Sequence, residues 1–78
     1  MDFRELRQSR RLSQRRVAEA IEVSTQTIRN WEKGRSEPSL KVDQIESLCQ
    51  ILQCSLSELA EAIRESKRNR SSQNLNQD

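Results

Sequence analysis

The sequence predicts an all-α fold, a compact bundle of five short helices, on three observations. Only one proline and one glycine occur among the 78 residues, so little interrupts a helical run. No segment alternates apolar and polar residues as a half-buried strand would. Apolar residues recur instead at three- and four-residue spacing behind Asp or Ser N-cap candidates.

The elements follow in order. Asp2 and Glu5 form a capping-box pattern ahead of Phe3 and Leu6, which share a stripe with Arg7 and Arg10. This predicts a first helix over about 3–10. Ser13 caps a second helix, 14–21, carrying Val17, Ala18 and Ile21. Ser24 caps a third, 25–33, with Ile28 and Trp31 inward and Gly34 as the residue that ends it. After the connection Arg35-Ser-Glu-Pro38, Ser39 is the expected cap of a fourth helix carrying Leu40, Ile45, Leu48, Cys49 and Leu52. Ser55-Leu-Ser-Glu58 is a capping box for a fifth helix with Leu56, Leu59 and Ile63. From Lys67 on, Ser, Asn, Gln and charge dominate. The predicted organisation is one domain over 1–66 and a disordered polar tail over 67–78.

Composition excludes several functions. Histidine is absent, which removes histidine acid–base catalysis and His-ligated metal sites. Cys49 and Cys54 are too few for a four-cysteine zinc site and are read as small, reduced core residues. No catalytic residue, metal or cofactor is expected. No apolar stretch of about 18 residues exists, so no membrane span is expected. The first residues show no apolar signal region, and the chain is expected in the cytoplasm. One Phe, one Trp and no Tyr give no stacking platform for single strands.

The net charge of +2 hides a segregation. Residues 1–35 carry nine Lys/Arg against five acids, whereas residues 36–66 carry two against six. A basic half beside an acidic half fits a polyanion-binding face, and equally an unevenly charged solvated surface.

Leu12 to Pro38, LSQRRVAEAIEVSTQTIRNWEKGRSEP, carries the decisive pattern. Leu-Ser-Gln at 12–14, Val-Ala-x-x-Ile at 17–21, Val-Ser at 23–24, Thr-Ile at 27–28, Trp-Glu-Lys-Gly at 31–34, Pro-Ser at 38–39 and Ser-Leu-x-Glu-Leu at 55–59 occur in this order. In these residues the chain resembles the Cro and phage-repressor type of helix-turn-helix, the xenobiotic-response-element regulator family. The resemblance spans about residues 3–64. It implies a lambda-repressor-like five-helix fold with the helix-turn-helix formed by helices 2 and 3.

Physical reasoning agrees with it. About three residues between helices 14–21 and 25–33 force a sharp crossing, with Val17, Ile21, Ile28 and Trp31 packed together. At about 100° per residue, Thr25, Gln26, Arg29, Asn30 and Lys33 then fan over the opposite face of the third helix. Amides suit adenine edges, a guanidinium suits guanine, and the Thr methyl suits thymine. Thr25, Gln26, Arg29 and Asn30 are the expected base readers. Gln14, Arg15, Arg16, Ser24, Lys33 and Arg35 are the expected phosphate contacts, Gln14 by the resemblance. Arg15 and Arg16 oppose the dipole of the second helix at a cost of about 0.3–1 kcal/mol each, which favours phosphate attraction over tolerated surface charge. The resemblance also implies a partly buried ion pair between Arg7 and Glu32, which assigns Arg7 to the fold.

Three positions depart from the family. It commonly places glycine where Arg11, Glu22 and Gln53 stand here. Left-handed geometry at each would cost roughly 1 kcal/mol or more. The expected function is sequence-specific binding of a double-stranded DNA operator in transcriptional regulation. By resemblance the source is a bacterium, phage or plasmid, and the chain binds as a homodimer to inverted half-sites. The expected dimer surface is either the apolar edge around Ile51, Leu56 and Ile63 or the tail. The alternative is a protein-interaction module such as an antitoxin. An enzyme subunit is remote, since histidine and a glycine-rich phosphate loop are both missing.

Overall fold

The computed structural model describes residues 1–77. Five helices follow one another: α1 Phe3–Ser9, α2 Gln14–Ala20, α3 Thr25–Glu32, α4 Val42–Leu52 and α5 Leu56–Gln77. No strand occurs among the described residues. α2 packs against α3 and α4, while α5 closes the other side against α1 and α3.

The inward stripes meet in one core. Phe3, Val17, Ile28, Leu48 and Leu52 are completely buried, with Leu6, Ala18, Ile21, Trp31, Leu59 and Ala62 around them. The Phe3 and Trp31 rings stand edge to face, their centroids 5.9 Å apart. Such a pair adds about 0.5–1.5 kcal/mol beyond burial itself. It fixes α3 against α1.

The first four helices end alike. Each last turn closes with a 6→1 and a 5→2 backbone bond, the Schellman arrangement that satisfies carbonyls left without a partner. The pairs are Leu12→Arg7 with Arg11→Gln8, Val23→Ala18 with Glu22→Glu19, Arg35→Asn30 with Gly34→Trp31, and Cys54→Cys49 with Gln53→Gln50. The residue in the bend must take positive φ, and the values are 57° at Arg11, 59° at Glu22, 70° at Gly34 and 52° at Gln53. Only Gly34 does so without a Cβ penalty. The left-handed geometry expected at the three non-glycine positions is therefore present at all of them. Arg10 reinforces the last of these ends, donating from Nε to the Leu52 carbonyl at 2.7 Å and from its terminal nitrogen to Gln53 at 3.1 Å.

The helix starts follow the predicted caps with one exception. Asp2 accepts from the Glu5 amide, Ser13 from Arg16, Ser24 from Thr27 and Ser55 from Glu58. For α4 the expected cap, Ser39, is displaced by Lys41. A lysine side chain has no acceptor, so the Gln44 amide organises this end. Its oxygen accepts from the Lys41 backbone at 2.9 Å, and its nitrogen donates to the Ile21 carbonyl at 3.0 Å. That second bond ties α4 to the end of α2, which a serine at 39 would not do. Leu40 consequently precedes the helix, half-buried against the core.

The boundary expected at residue 66 does not interrupt α5, which continues through the polar segment to Gln77. As far as Asn69 the helix is anchored to the rest of the domain. Ser66 is buried and its hydroxyl accepts the Phe3 amide at 3.1 Å, satisfying a donor at the start of α1. Lys67 pairs with Glu37 at 2.6 Å, Asn69 donates to Asp2 at 2.8 Å, and the Met1 amino group meets Glu65 at 2.6 Å. No glycine or proline follows Pro38 to stop the helix. Asp78, the last residue of the expected tail, lies outside the described residues.

Candidate nucleic-acid interface

Residues 21–24 set the crossing of α2 and α3. Ile21 is buried, Glu22 turns the chain at φ 59°, Val23 packs against the core and Ser24 starts α3. The backbone bonds of this bend are short-range, the Gln44 side chain adds one to the Ile21 carbonyl from α4, and burial of Val17, Ile21, Ile28 and Trp31 locks the angle.

α3 is two-sided as expected. Ile28 and Trp31 are 0% and 3% exposed, whereas Gln26, Arg29 and Lys33 are open to solvent. Thr25 and Asn30 flank that outer face, half-buried. The Gln26 amide nitrogen donates to the Asn30 oxygen at 3.1 Å, so the two amides one turn apart hold each other in register. Ser24 is engaged in the cap, and its hydroxyl also lies 2.9 Å from that of Thr27.

Behind this face lies the ion pair that the sequence pointed to. Arg7 donates from Nε to Glu32 Oε2 at 2.6 Å and from a terminal nitrogen to Oε1 at 3.3 Å. Its remaining terminal nitrogen reaches the Leu12 carbonyl at 2.7 Å. The side chains are only 10% and 5% exposed, and bidentate pairing of this kind is what makes such burial tolerable. Arg7 therefore belongs to the fold.

Gln14 links the ion pair to the outer face. Its amide nitrogen donates to Glu32 Oε1 at 3.0 Å, and its oxygen accepts from Arg29 Nε at 3.3 Å. The sequence reading missed this bridge, because nothing local to Gln14 points at a residue 15 positions away.

The expected phosphate contacts divide by environment. Arg16, Lys33 and Arg35 are exposed and form no ion pair among the described residues. Arg15 lies 3.9 Å from Glu19 with both side chains largely in water, a contact worth little. Arg10, counted in the basic half, is drawn away to the end of α4.

Among the described residues no group of three His, Cys, Asp or Glu side chains is arranged to hold a metal ion, and no helix is long and apolar enough to cross a membrane. Both cysteines are free and half-buried. Burial and, after it, the neighbouring Cys49 push the Cys54 thiol up to about 11, away from reactivity.

A family model described as helix-turn-helix matches residues 3–59, and thus covers both helices of this crossing and their supports. No curated protein and no solved structure matches the chain.

Proposed function

This chain belongs to the helix-turn-helix family of DNA-binding regulators, and from that premise we propose that it is a sequence-specific transcriptional regulator whose α3 reads the major groove. The observation that carries this reading is the outer face of α3. It presents Gln26 and Arg29 in the first two turns, with Thr25 and Asn30 beside them, on a helix whose other side is sealed into the core. These side chains have the donors and acceptors that distinguish base pairs: amides for adenine, guanidinium for guanine.

Phosphate contacts surround the face. Arg15 and Arg16 stand at the start of α2, Lys33 and Arg35 at the far end of α3. Gln14 has a second amide hydrogen for the same purpose, and Ser24, although its hydroxyl caps α3, stands at the helix start where a phosphate would approach. Such contacts position the protein and carry no sequence information. The chain acts without catalysis, as a homodimer on inverted half-sites about one helical turn apart. Leu56 is the exposed apolar residue of the expected dimer edge, at 62% exposure, while Ile51 and Ile63 pack partly against the core.

Selection of bound sequences from a random duplex pool tests the proposal. Enrichment of a defined half-site supports it. Enrichment of no sequence, with the domain folded, contradicts it and favours a protein-interaction module instead.

A further inference from the structure

We propose that Cys49 and Cys54 form a dithiol site at the end of α4, which closes to an intramolecular disulfide by exchange with a low-molecular-weight disulfide of the glutathione class. The inference is independent of the assignment of α3 to DNA.

The backbone builds the site. Cys49 and Cys54 are the first and sixth residues of the bend that ends α4, and the Cys54 amide donates to the Cys49 carbonyl at 3.1 Å. With Cα–C about 1.52 Å, C=O about 1.23 Å and N–Cα about 1.46 Å, that bond keeps the two Cα atoms within roughly 7 Å even if every bond pointed the same way, and closer once they are bent. A disulfide takes Cα atoms about 4.4–6.8 Å apart. Such a bend also turns its first and sixth side chains toward each other, and apolar pairs commonly meet there. α2 ends on a pair of that kind, Ala18 and Val23. At the end of α4 both positions carry a thiol, and Cys49 acts on the Cys54 thiol as a direct neighbour.

The bend is held from outside as well. Gln53 takes φ 52°, and Arg10 donates to the carbonyls of Leu52 and Gln53 at 2.7 and 3.1 Å. Both cysteines are half-buried and not sealed into the core.

The exchange balances. One cysteine thiolate attacks a sulfur of the reagent, forms a mixed disulfide and releases one small thiol. The second thiolate attacks the protein sulfur of that mixed disulfide and releases the other. The two protein thiols lose two electrons and two protons, and the reagent takes them up as two small thiols. Only thiolates attack, so a Cys54 thiol pushed up to about 11 makes the reaction slow at neutral pH. Ionisation sets how long the site takes to close, while the fixed separation of the two residues sets how far it closes. By linkage, the factor by which the fold favours the disulfide is the factor by which the disulfide favours the fold.

The test equilibrates the full chain anaerobically with oxidised and reduced glutathione at fixed ratios, both folded and in denaturant. Acid quenching, alkylation of free thiols and mass measurement follow. The control is a double variant, Cys49→Ala with Cys54→Val, which carries the pair found at the end of α2. The folded chain is expected to accumulate a monomer lighter by two hydrogens and closed to alkylation, with an exchange constant about tenfold or more above that in denaturant. Its unfolding midpoint should then exceed that of the reduced chain by about 5 °C or more, the shift that corresponds to this factor in a domain of this size. The same treatment should leave the midpoint of the double variant unchanged. An exchange constant no larger in the folded chain than in the denatured one overturns the proposal. A product made only of glutathione adducts or of disulfide-linked dimers also overturns it, because the two sulfurs have then not met within one chain.

Discussion

Arg7 and Glu32, 25 residues apart, meet at 2.6 Å with almost no exposure, and every nitrogen of the Arg7 guanidinium has an acceptor. The pair clamps α1 to the end of α3 and sets the tilt of the helix whose outer face we assign to DNA. Arg7→Ala leaves the Glu32 carboxylate buried without its cation. The expected loss is about 3–5 kcal/mol of folding stability, and chemical denaturation measures it. Replacing both partners by apolar residues of similar volume should cost much less than the two single changes together.

Glu22 occupies the bend between α2 and α3 at φ 59°. Glu22→Gly removes the Cβ penalty there and is expected to stabilise the domain by roughly 1 kcal/mol. Thermal unfolding should show a midpoint about 4–8 °C higher, the shift typical for a domain of this size. An unchanged or lower midpoint contradicts the strain argument.

Arg15→Ala with Arg16→Ala should weaken binding to all duplexes about equally. Binding by a dimer that neutralises eight to ten phosphates should give a log K against log [salt] slope of roughly −7 to −9, and this double variant, which removes two arginines from each protomer, should flatten it by up to about 3–4 units. Titrations at several salt concentrations measure both. An unchanged slope and affinity would assign the two arginines to ordinary surface.

Stability should be nearly flat across neutral pH, because the chain has no histidine. At the acid end, the hydrogen bond from Lys67 holds Glu37 below the ordinary value of 4.5, Ser55 does the same for Glu58, and Arg68 for Glu61. Carboxylates lowered in the folded state stabilise it above pH 4.5 and lose that contribution as pH falls further. At the alkaline end, burial raises Cys54 from 9.0 to about 11. The unfolded chain then releases a proton that the folded one keeps, so stability declines above about pH 9. Unfolding midpoints from pH 3 to 10 should trace this plateau, and a step between pH 6 and 7 would contradict it.

Much of this was legible from the chain because it depends on local chemistry. Asp2, Ser13, Ser24 and Ser55 cap where a side-chain oxygen precedes an apolar stripe, and Gly34 ends α3 where left-handed geometry is needed. The bends at Arg11, Glu22 and Gln53 were legible only through the family pattern, since no local property of these polar residues signals positive φ. What escaped the sequence depends on partners far along the chain. Gln44 takes over the start of α4 because the Ile21 carbonyl lies within reach. Ser66 is one serine in a polar run until Phe3 presents its amide. Gln14 becomes a bridge only when the crossing of α2 and α3 brings Glu32 and Arg29 to either side of it.

The central claim is that the outer face of α3 chooses the DNA sequence. The most direct measurement titrates Gln26→Ala and Arg29→Ala against the selected operator and a scrambled duplex, with circular dichroism to establish folding. Both residues are exposed, so both variants should stay folded. Each should lose about 1–3 kcal/mol of preference for the operator, confined to one or two base pairs per half-site. Non-specific affinity should barely change for Gln26→Ala, which removes no charge. Folded variants that keep full operator preference would contradict the account and move sequence recognition off this helix.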